Sequence, residues 1–132
     1  MEIMENKACL DSDFLIDFLK NGKDEINWIK ENKETEMATT IINVLELYYG
    51  EYKNNAKSNV GNLENFLKNF SVLNLNEEIA KKAGKIAAGL EKEGNVLEFR
   101  DVLIAAIASH HGYPIKTGNK KHFGRIKDLK LI

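Results

Sequence analysis

The stretch from Lys7 to Lys20 reads KACLDSDFLIDFLK and decides the fold. Its first residues, KACL, form a short apolar run that predicts a buried strand ending just before Asp11. From Ser12 to Lys20, large apolar side chains recur at helical spacing, which predicts a helix directly after the strand. A buried strand that leads straight into an amphipathic helix is typical of parallel α/β proteins.

Short strands and helices continue to alternate along the rest of the chain. The periodicity predicts further helices at Asp24–Asn32, Ile41–Lys53, Asn59–Asn69, Asn76–Glu93 and Asp101–His110. It predicts further strands at Glu36–Thr40, Ser71–Leu75, Ile115–Thr117 and, as a final edge strand, Leu129–Ile132. Residues 54–59 are expected to connect two helices, and Asn119–Phe123 to form a polar loop or helical turn. We therefore expect one domain over residues 1–132, with a three-layer α/β/α fold around a mainly parallel sheet of four to five strands.

Composition narrows the class of protein without identifying its ligand. The 132 residues carry a formal net charge of −1, so binding to RNA would need a local basic patch or bound cations. The longest apolar run, Val102–Ala108, is far too short to cross a membrane. The chain contains one cysteine, Cys9, which excludes an intramolecular disulfide and favours a cytoplasmic location.

Three carboxylates occupy positions that suggest a site. Asp11 follows the first strand, where open α/β sheets bind ligands, but it also has the position of a helix cap. Glu46 lies in an apolar helix on the face shared by Ile42 and Tyr49; the alternative is a glutamate at the edge of that face that reaches solvent. Asp101 begins a helix that is apolar nearly all round, where it would serve as a cap or as an acid delivered to a pocket.

The segment Thr117-Gly118-Asn119 adds a fourth element. If the strand before it is parallel to the first strand, Asn119 lies at the same edge of the sheet as Asp11. An asparagine oxygen binds hard cations, although taken without its context Asn119 is better explained as a plain turn residue. Converging carboxylates repel each other unless a cation is present, and Mg²⁺ or Mn²⁺ with oxygen ligands would relieve this repulsion. Such a site also activates water against a phosphodiester.

Basic residues follow the last predicted internal strand. They form either a solvated surface or a track for an RNA backbone. The candidates for contact with RNA are Lys116, Lys120, Lys121 and Arg125, with Lys127 in the same stretch. His122 lies among them, near the mouth of the expected pocket, where a structural role is favoured over contact with a phosphate.

Taken together, these segments resemble the PIN-domain ribonucleases, and most closely the VapC-type toxins of prokaryotic toxin–antitoxin pairs. The resemblance covers nearly the whole chain and rests on four segments in the family's order: LDSDFLID from Leu10, TIINVLELYYG from Thr40, RDVLIAAIASHHGYPI from Arg100 and TGNKKHF from Thr117.

The resemblance implies a three-layer α/β/α fold and an endoribonuclease that depends on Mg²⁺ or Mn²⁺. The family's acids fall on Asp11, Glu46 and Asp101, with Ser12 orienting Asp11 or a water. Thr117 and Asn119 complete the site, with Asn119 as a fourth metal ligand. Family members often form homodimers and are silenced by a small antitoxin that inserts a side chain into the acidic pocket.

This sequence departs from the family at the last segment. Many members have an additional aspartate there, at the positions that Asn119 and His122 occupy here. The fourth ligand is therefore neutral or missing, which predicts weaker metal binding than in members that have the additional aspartate.

Three other interpretations remain open at this point. Asp11-Ser12-Asp13 is a D-x-D motif after a strand, as in haloacid-dehalogenase-type phosphatases, but Asp101 lacks a neighbouring acid and the chain is short for that fold. A receiver-type domain needs an aspartate at the end of the third strand, where this chain reads SVLNLN. A PIN domain that has lost its activity and serves as a binding or dimerisation module is the non-enzymatic alternative.

Overall fold

A computed structural model of the chain describes residues 6–54 and 59–132. The strands are β1 (Lys7–Leu10), β2 (Glu36–Thr40), β3 (Ser71–Leu73) and β4 (Ile115–Lys116). The helices are α1 (Ser12–Leu19), α2 (Lys23–Glu31), α3 (Ile41–Lys53), α4 (Val60–Leu67), α5 (Glu77–Lys92), α6 (Phe99–His110) and α7 (Lys120–Phe123). None of these described helices has the length and apolar character needed to cross a membrane.

The four strands form one parallel sheet in the order β3-β2-β1-β4. β1 is central, pairing Cys9 with Ala38 of β2 and with Ile115 of β4. Because the strands are parallel, their carboxyl ends meet at one edge of the sheet, so Asp11, Thr40 and Thr117 come together there.

Alternate residues of β1 enter two separate apolar cores. Cys9 belongs to the core that contains Ile79 of α5 and Ile104 of α6. Ala8 and Leu10 belong to the other core, with α1, α3 and α4. Successive side chains of a strand point to opposite faces, so the sheet is covered by helices on both faces. The predicted three-layer α/β/α fold is confirmed.

Several predicted boundaries are wrong at their ends. The strands predicted to end at Leu75 and Thr117 end at Leu73 and Lys116. The predicted final strand Leu129–Ile132 is reduced to a single parallel bridge between Ile115 and Leu131, so four strands, not five, are found in the described residues. The expected connection 54–59 lies mostly at positions 55–58, outside the described residues.

Two differences concern helices near the candidate site. α6 begins at Phe99, because Glu98 has an extended backbone and its carbonyl accepts the first helical hydrogen bonds. Asp101 therefore lies in the first turn of α6 and does not begin the helix. On α3, the predicted common face of Ile42, Glu46 and Tyr49 is wrong for Tyr49, whose 64% exposure places it on the outer surface.

Candidate active site

Asp11 lies at the end of β1, where it is 2% exposed and accepts hydrogen bonds through both carboxylate oxygens. Its Oδ1 atom accepts from the backbone N–H of Ser12 at 2.9 Å, so Asp11 is indeed the N-cap of α1. Its Oδ2 atom accepts from the hydroxyl of Thr117 at 2.8 Å. The two explanations offered by the sequence, a cap and a site carboxylate, are thus compatible.

Asn43 holds Asp11 from the side of α3, and the sequence analysis did not identify it. This fully buried side chain donates to Asp11 Oδ1 at 2.8 Å and to Ser12 Oγ at 2.9 Å. Its own oxygen accepts from the backbone N–H and hydroxyl of Thr40, the N-cap of α3. Asn43 therefore fixes the carboxyl ends of β1 and β2 relative to each other.

Thr117 and Gly118 fix the end of β4 to the start of α1. The N–H of Gly118 donates to Asp13 Oδ2 at 3.0 Å, and a Cβ atom at position 118 would lie only 2.9 Å from that oxygen. Burial, and secondly the charge of Asp11, raise the pKa of Asp13. The carboxylate of Asp13 is thus occupied by backbone N–H groups of Phe14 and Gly118. This arrangement does not support the D-x-D phosphatase interpretation.

Glu46 reaches the site from α3. Its Oε1 atom accepts from the Ser12 hydroxyl at 2.8 Å. Its Oε2 atom accepts from Nε of Arg100 at 2.6 Å. The side chain is 32% exposed, so Glu46 lies at the mouth of the cluster.

Arg100 lies between the three predicted site acids, and the sequence analysis did not select it. Its Nε atom donates to Glu46, as described above. Its Nη1 atom lies 2.5 Å from Asp101 Oδ1, and its Nη2 atom lies 3.0 Å from Asp11 Oδ1. Burial alone would lower the pKa of Arg100, but hydrogen bonds and charge from the carboxylates raise it above its ordinary value. We call Asp11, Glu46 and Asp101 the acid cluster.

The donor set of the acid cluster suits a hard divalent cation. Mg²⁺ and Mn²⁺ prefer carboxylate oxygens, and the cluster already holds a cationic group, the guanidinium, at its centre. Within residues 6–54 and 59–132, no group of three or more His, Cys, Asp or Glu side chains has the geometry of a metal site as it stands. The guanidinium of Arg100 contacts a carboxylate oxygen of each of the three acids.

Asn119 lies beside the acid cluster, in contact with His122. Its amide nitrogen lies 3.0 Å from Nδ1 of His122, and its backbone N–H donates to the Thr117 hydroxyl. Because an amide nitrogen only donates, Nδ1 of His122 accepts in this geometry. That nitrogen lies 3.7 Å from Asp101 Oδ2, so His122 stands between Asn119 and the acid cluster.

The predicted basic track divides between two cavities. Arg125 lines a cavity of about 250 Å³ together with Asp101, Arg100 and Asn119, and Lys120 and Lys121 are exposed on the adjoining helix α7. Lys116 lines a separate cavity of about 470 Å³ and lies over the ring of Trp28. The exposed Lys127 lies 3.9 Å from Glu93.

The cavity beside Lys116 has its own acidic lining, which does not include Glu46 or Asp101. Its carboxylates belong to α1 and α2 and are those of Asp13, Asp17, Asp24, Glu25 and Glu31. Of the predicted track, Arg125 therefore shares a cavity with Asp101, whereas the side chain of Lys116 lines the other cavity.

The geometry, then, is a set of carboxylates and hydroxyls gathered at the carboxyl edge of a parallel sheet. The chain matches the PIN domain family over residues 8–129. It belongs to that family. Ribonuclease VapC1 of Methanocaldococcus jannaschii is 32% identical over 133 aligned positions, which cover 99% of this chain and 89% of that protein. Ribonuclease VapC2 of Haemophilus influenzae is 30% identical over 125 positions, covering 94% of this chain and 95% of that protein.

Solved structures of the PIN family agree with the fold. The VapBC2 complex of Rickettsia felis, bound to a DNA fragment from its promoter, contains a chain that superposes with a TM-score of 0.85 at 25% identity, covering 96% of this chain and 97% of that one. The DNA-bound VapBC complex of Salmonella typhimurium gives a TM-score of 0.84 at 27% identity, with 98% of both chains covered. The fold and family expected from the sequence are confirmed.

Proposed function

We propose that this PIN domain is an endoribonuclease toxin that hydrolyses RNA phosphodiester bonds at the acid cluster. The observation that carries the proposal is the convergence of Asp11, Glu46 and Asp101 around one cationic group, within a family whose relatives here are named ribonucleases. A Salmonella typhimurium relative, 29% identical over 126 positions, is named a tRNA(fMet)-specific endonuclease.

The protein's own side chains hold the site in a fixed arrangement before any substrate arrives. Asn43 and Thr117 orient the two oxygens of Asp11, and Ser12 orients Glu46. Each is buried or half-buried, so little rearrangement is needed when a ligand binds. Outer partners of this kind commonly contribute about 10- to 100-fold to metal affinity or activity.

Asp11, Glu46 and Asp101 would hold the divalent cation, with Asn119 as a further oxygen donor after its side chain moves from His122. Mg²⁺ or Mn²⁺ bound there would supply a Lewis acid for the phosphodiester and lower the pKa of an attacking water. Arg125 lines the same cavity as Asp101, and Lys120 and Lys121 are exposed on helix α7; these three would hold the flanking phosphates of the RNA.

We also propose two protein partners. The similarity to VapBC complexes supports a small antitoxin, and a neighbouring gene for a small DNA-binding protein would be the first place to look for it. A second copy of this chain is supported by a row of exposed apolar side chains on α3, which comprises Ile41, Leu45, Tyr49 and Tyr52. Analytical ultracentrifugation should show a dimer that Leu45→Glu dissociates. A monomeric wild type would contradict the dimer.

The cytoplasm is the location that we propose for this activity. RNA substrates are available there, and a chain with one buried, unpaired cysteine, Cys9, suits a reducing compartment.

The activity is tested by incubating the purified protein with single-stranded and structured RNA, with Mn²⁺ or with EDTA. Cleavage should require the metal and should fall at least about 100-fold in Asp11→Asn, because loss of a ligand should exceed the effect of losing its outer partners. Asp17→Asn is the matched control, since it removes the same charge from α1 at a residue outside the acid cluster.

Equal cleavage by wild type and Asp11→Asn would contradict the proposal and indicate a contaminating nuclease. Binding of RNA without metal-dependent cleavage would favour the alternative, a PIN domain that acts as a binding or dimerisation module. The neutral Asn119, at a position where many family members have an acid, is the observation that keeps this alternative in view.

A further inference from the structure

Arg100 lies inside the acid cluster and contacts all three of its carboxylates. All three nitrogens of its guanidinium are used, one on each acid, at 2.5, 2.6 and 3.0 Å. The side chain is 28% exposed, whereas those of Asp11 and Asp101 are 2% and 5% exposed. A single cationic group therefore bridges acids that come from β1, α3 and α6.

The guanidinium and a divalent cation compete for the same oxygens. Five of the six carboxylate oxygens of the acid cluster already accept hydrogen bonds, and three of the five contact Arg100. A metal ion would approach these oxygens to about 2 Å. Because nitrogen atoms of Arg100 lie within 3.0 Å of the same oxygens, both cations cannot occupy the centre of the cluster together.

To make room for a metal, Arg100 would have to move, since a guanidinium does not lose its proton at any working pH. The cavity that it lines is also lined by Val96, Glu98 and Arg125. Glu98 lines that cavity and would be a new partner for the released guanidinium. A long arginine side chain has many rotamers, so this movement does not require α6 to shift.

We propose that Arg100 is a built-in substitute for the metal: it stabilises the metal-free acid cluster and must be displaced before Mg²⁺ or Mn²⁺ binds, so that it sets the metal affinity of the site. This inference rests on the proposed metal site. It makes Arg100 a positioning residue with two opposite effects, since it stabilises the metal-free fold and weakens metal binding.

Calorimetric titration with Mn²⁺ of the wild type, Arg100→Gln and Arg125→Gln measures the first effect. Arg100→Gln should bind Mn²⁺ at least about tenfold more tightly, the factor that corresponds to one charge-assisted hydrogen bond no longer broken on binding. Arg125→Gln removes the same charge from the same cavity without removing a contact to the carboxylates, so its affinity should change much less.

Thermal unfolding measures the second effect. In EDTA, Arg100→Gln should unfold at a lower temperature than the wild type, because its carboxylates repel each other without a bridging cation. On addition of Mn²⁺ its unfolding temperature should rise more than that of the wild type. Arg100→Lys, which keeps the charge but cannot bridge three acids, should lie between the two in both measurements.

The wild-type chain offers a test that needs no substitution. It contains two arginines, Arg100 and Arg125, so an NMR spectrum of the arginine Nε–H groups has two side-chain signals. Addition of Mg²⁺, which is diamagnetic, should move the Arg100 signal towards that of a solvated arginine. An Arg100 signal unmoved at saturating Mg²⁺, or an Arg100→Gln protein with unchanged or weaker Mn²⁺ affinity, would overturn the proposal. If neither wild type nor Arg100→Gln binds metal, the proposed metal site itself fails.

Discussion

Asn43 connects the acid cluster to the fold, and its removal should be costly. Its side chain is fully buried, and it donates to Asp11 and Ser12 while accepting from Thr40 at the start of α3. Asn43→Ala would leave these three partners without those hydrogen bonds, in a place that water does not readily reach.

The loss can be estimated from the contacts. A hydrogen bond to a charged acceptor such as Asp11 is worth about 2 kcal/mol, and the capping contact with Thr40 is worth about 1 kcal/mol. We therefore expect Asn43→Ala to lower the free energy of unfolding by about 3 kcal/mol. For a domain of this length, such a loss lowers the unfolding temperature by about 10 °C.

Urea denaturation followed by circular dichroism, in EDTA, measures this loss directly. Asn65→Ala is the matched control, since Asn65 is exposed on α4 and makes one long side-chain contact, 3.5 Å from Lys68. Its free energy of unfolding should change by less than about 0.5 kcal/mol. A loss no larger for Asn43→Ala than for Asn65→Ala would refute the role that we give to Asn43.

Asn43→Asp tests the charge part of the same argument. The new carboxylate has nearly the same shape, but it places a second negative charge about 3 Å from Asp11, a repulsion of about 5 kcal/mol at an effective dielectric constant of 20. Its pKa in the folded protein should therefore be raised. Stability should be greatest below the ordinary pKa of aspartate and should fall as the pH rises through the raised value. A variant equally stable at pH 4 and pH 7 relative to wild type would contradict this reasoning.

Three further predictions concern the core and the RNA surface. Burial, and secondly the charge of Asp11, raise the pKa of Cys9 to about 12. Its thiol should therefore resist a thiol reagent in the native protein and react in urea. The free energy of unfolding should fall as the pH rises from about 8.5, where the thiol of the unfolded chain ionises. Rapid native labelling would contradict this. Phe123→Ala, at a fully buried side chain, should cost about 3–5 kcal/mol in urea denaturation, whereas Phe99→Ala, at a side chain that is 74% exposed, should cost less than about 0.5 kcal/mol. Arg125→Ala, measured by RNA fluorescence anisotropy in an Asp11→Asn background, should reduce the slope of log affinity against log salt concentration by about one; an unchanged slope would remove Arg125 from the RNA track.

The sequence predicts the fold and the proximity of Asp11 to Thr117 for a clear physical reason. Parallel strands bring their carboxyl ends to one edge of a sheet, so the order of strands places Asp11 near Thr117 without knowledge of any contact. The continuous apolar run Ala8-Cys9-Leu10 in one short strand likewise predicts a sheet covered on both faces.

Arg100 and Asn43 could not be assigned in the same way, because each has partners in the site that are distant in the sequence. Arg100 contacts residues that precede it by 54 and 89 positions. A signal was nonetheless present, since an arginine directly before an acid at the start of an apolar helix is costly to bury unless it is paired. Asn43 offered one as well: it lies three residues after Thr40, in an otherwise apolar turn, as in a capping box.

The hydrophobic periodicity of the sequence also failed to predict which side chains of α3 are exposed and how long the strands are. Tyr49 has the spacing of a core residue, but it lies on the outer side of α3, where Leu45 and Tyr52 are also exposed. The last predicted strand pairs at Leu131 alone. Both outcomes depend on how neighbouring segments pack, which a local pattern does not contain.

Anomalous diffraction from crystals soaked in Mn²⁺ would test the central claim most directly. The account predicts a manganese peak about 2 Å from carboxylate oxygens of Asp11, Glu46 and Asp101, with the guanidinium of Arg100 moved out of the acid cluster. A peak in the cavity lined by Asp17 and Asp24, with Arg100 still bridging the three acids in the same map, would contradict it.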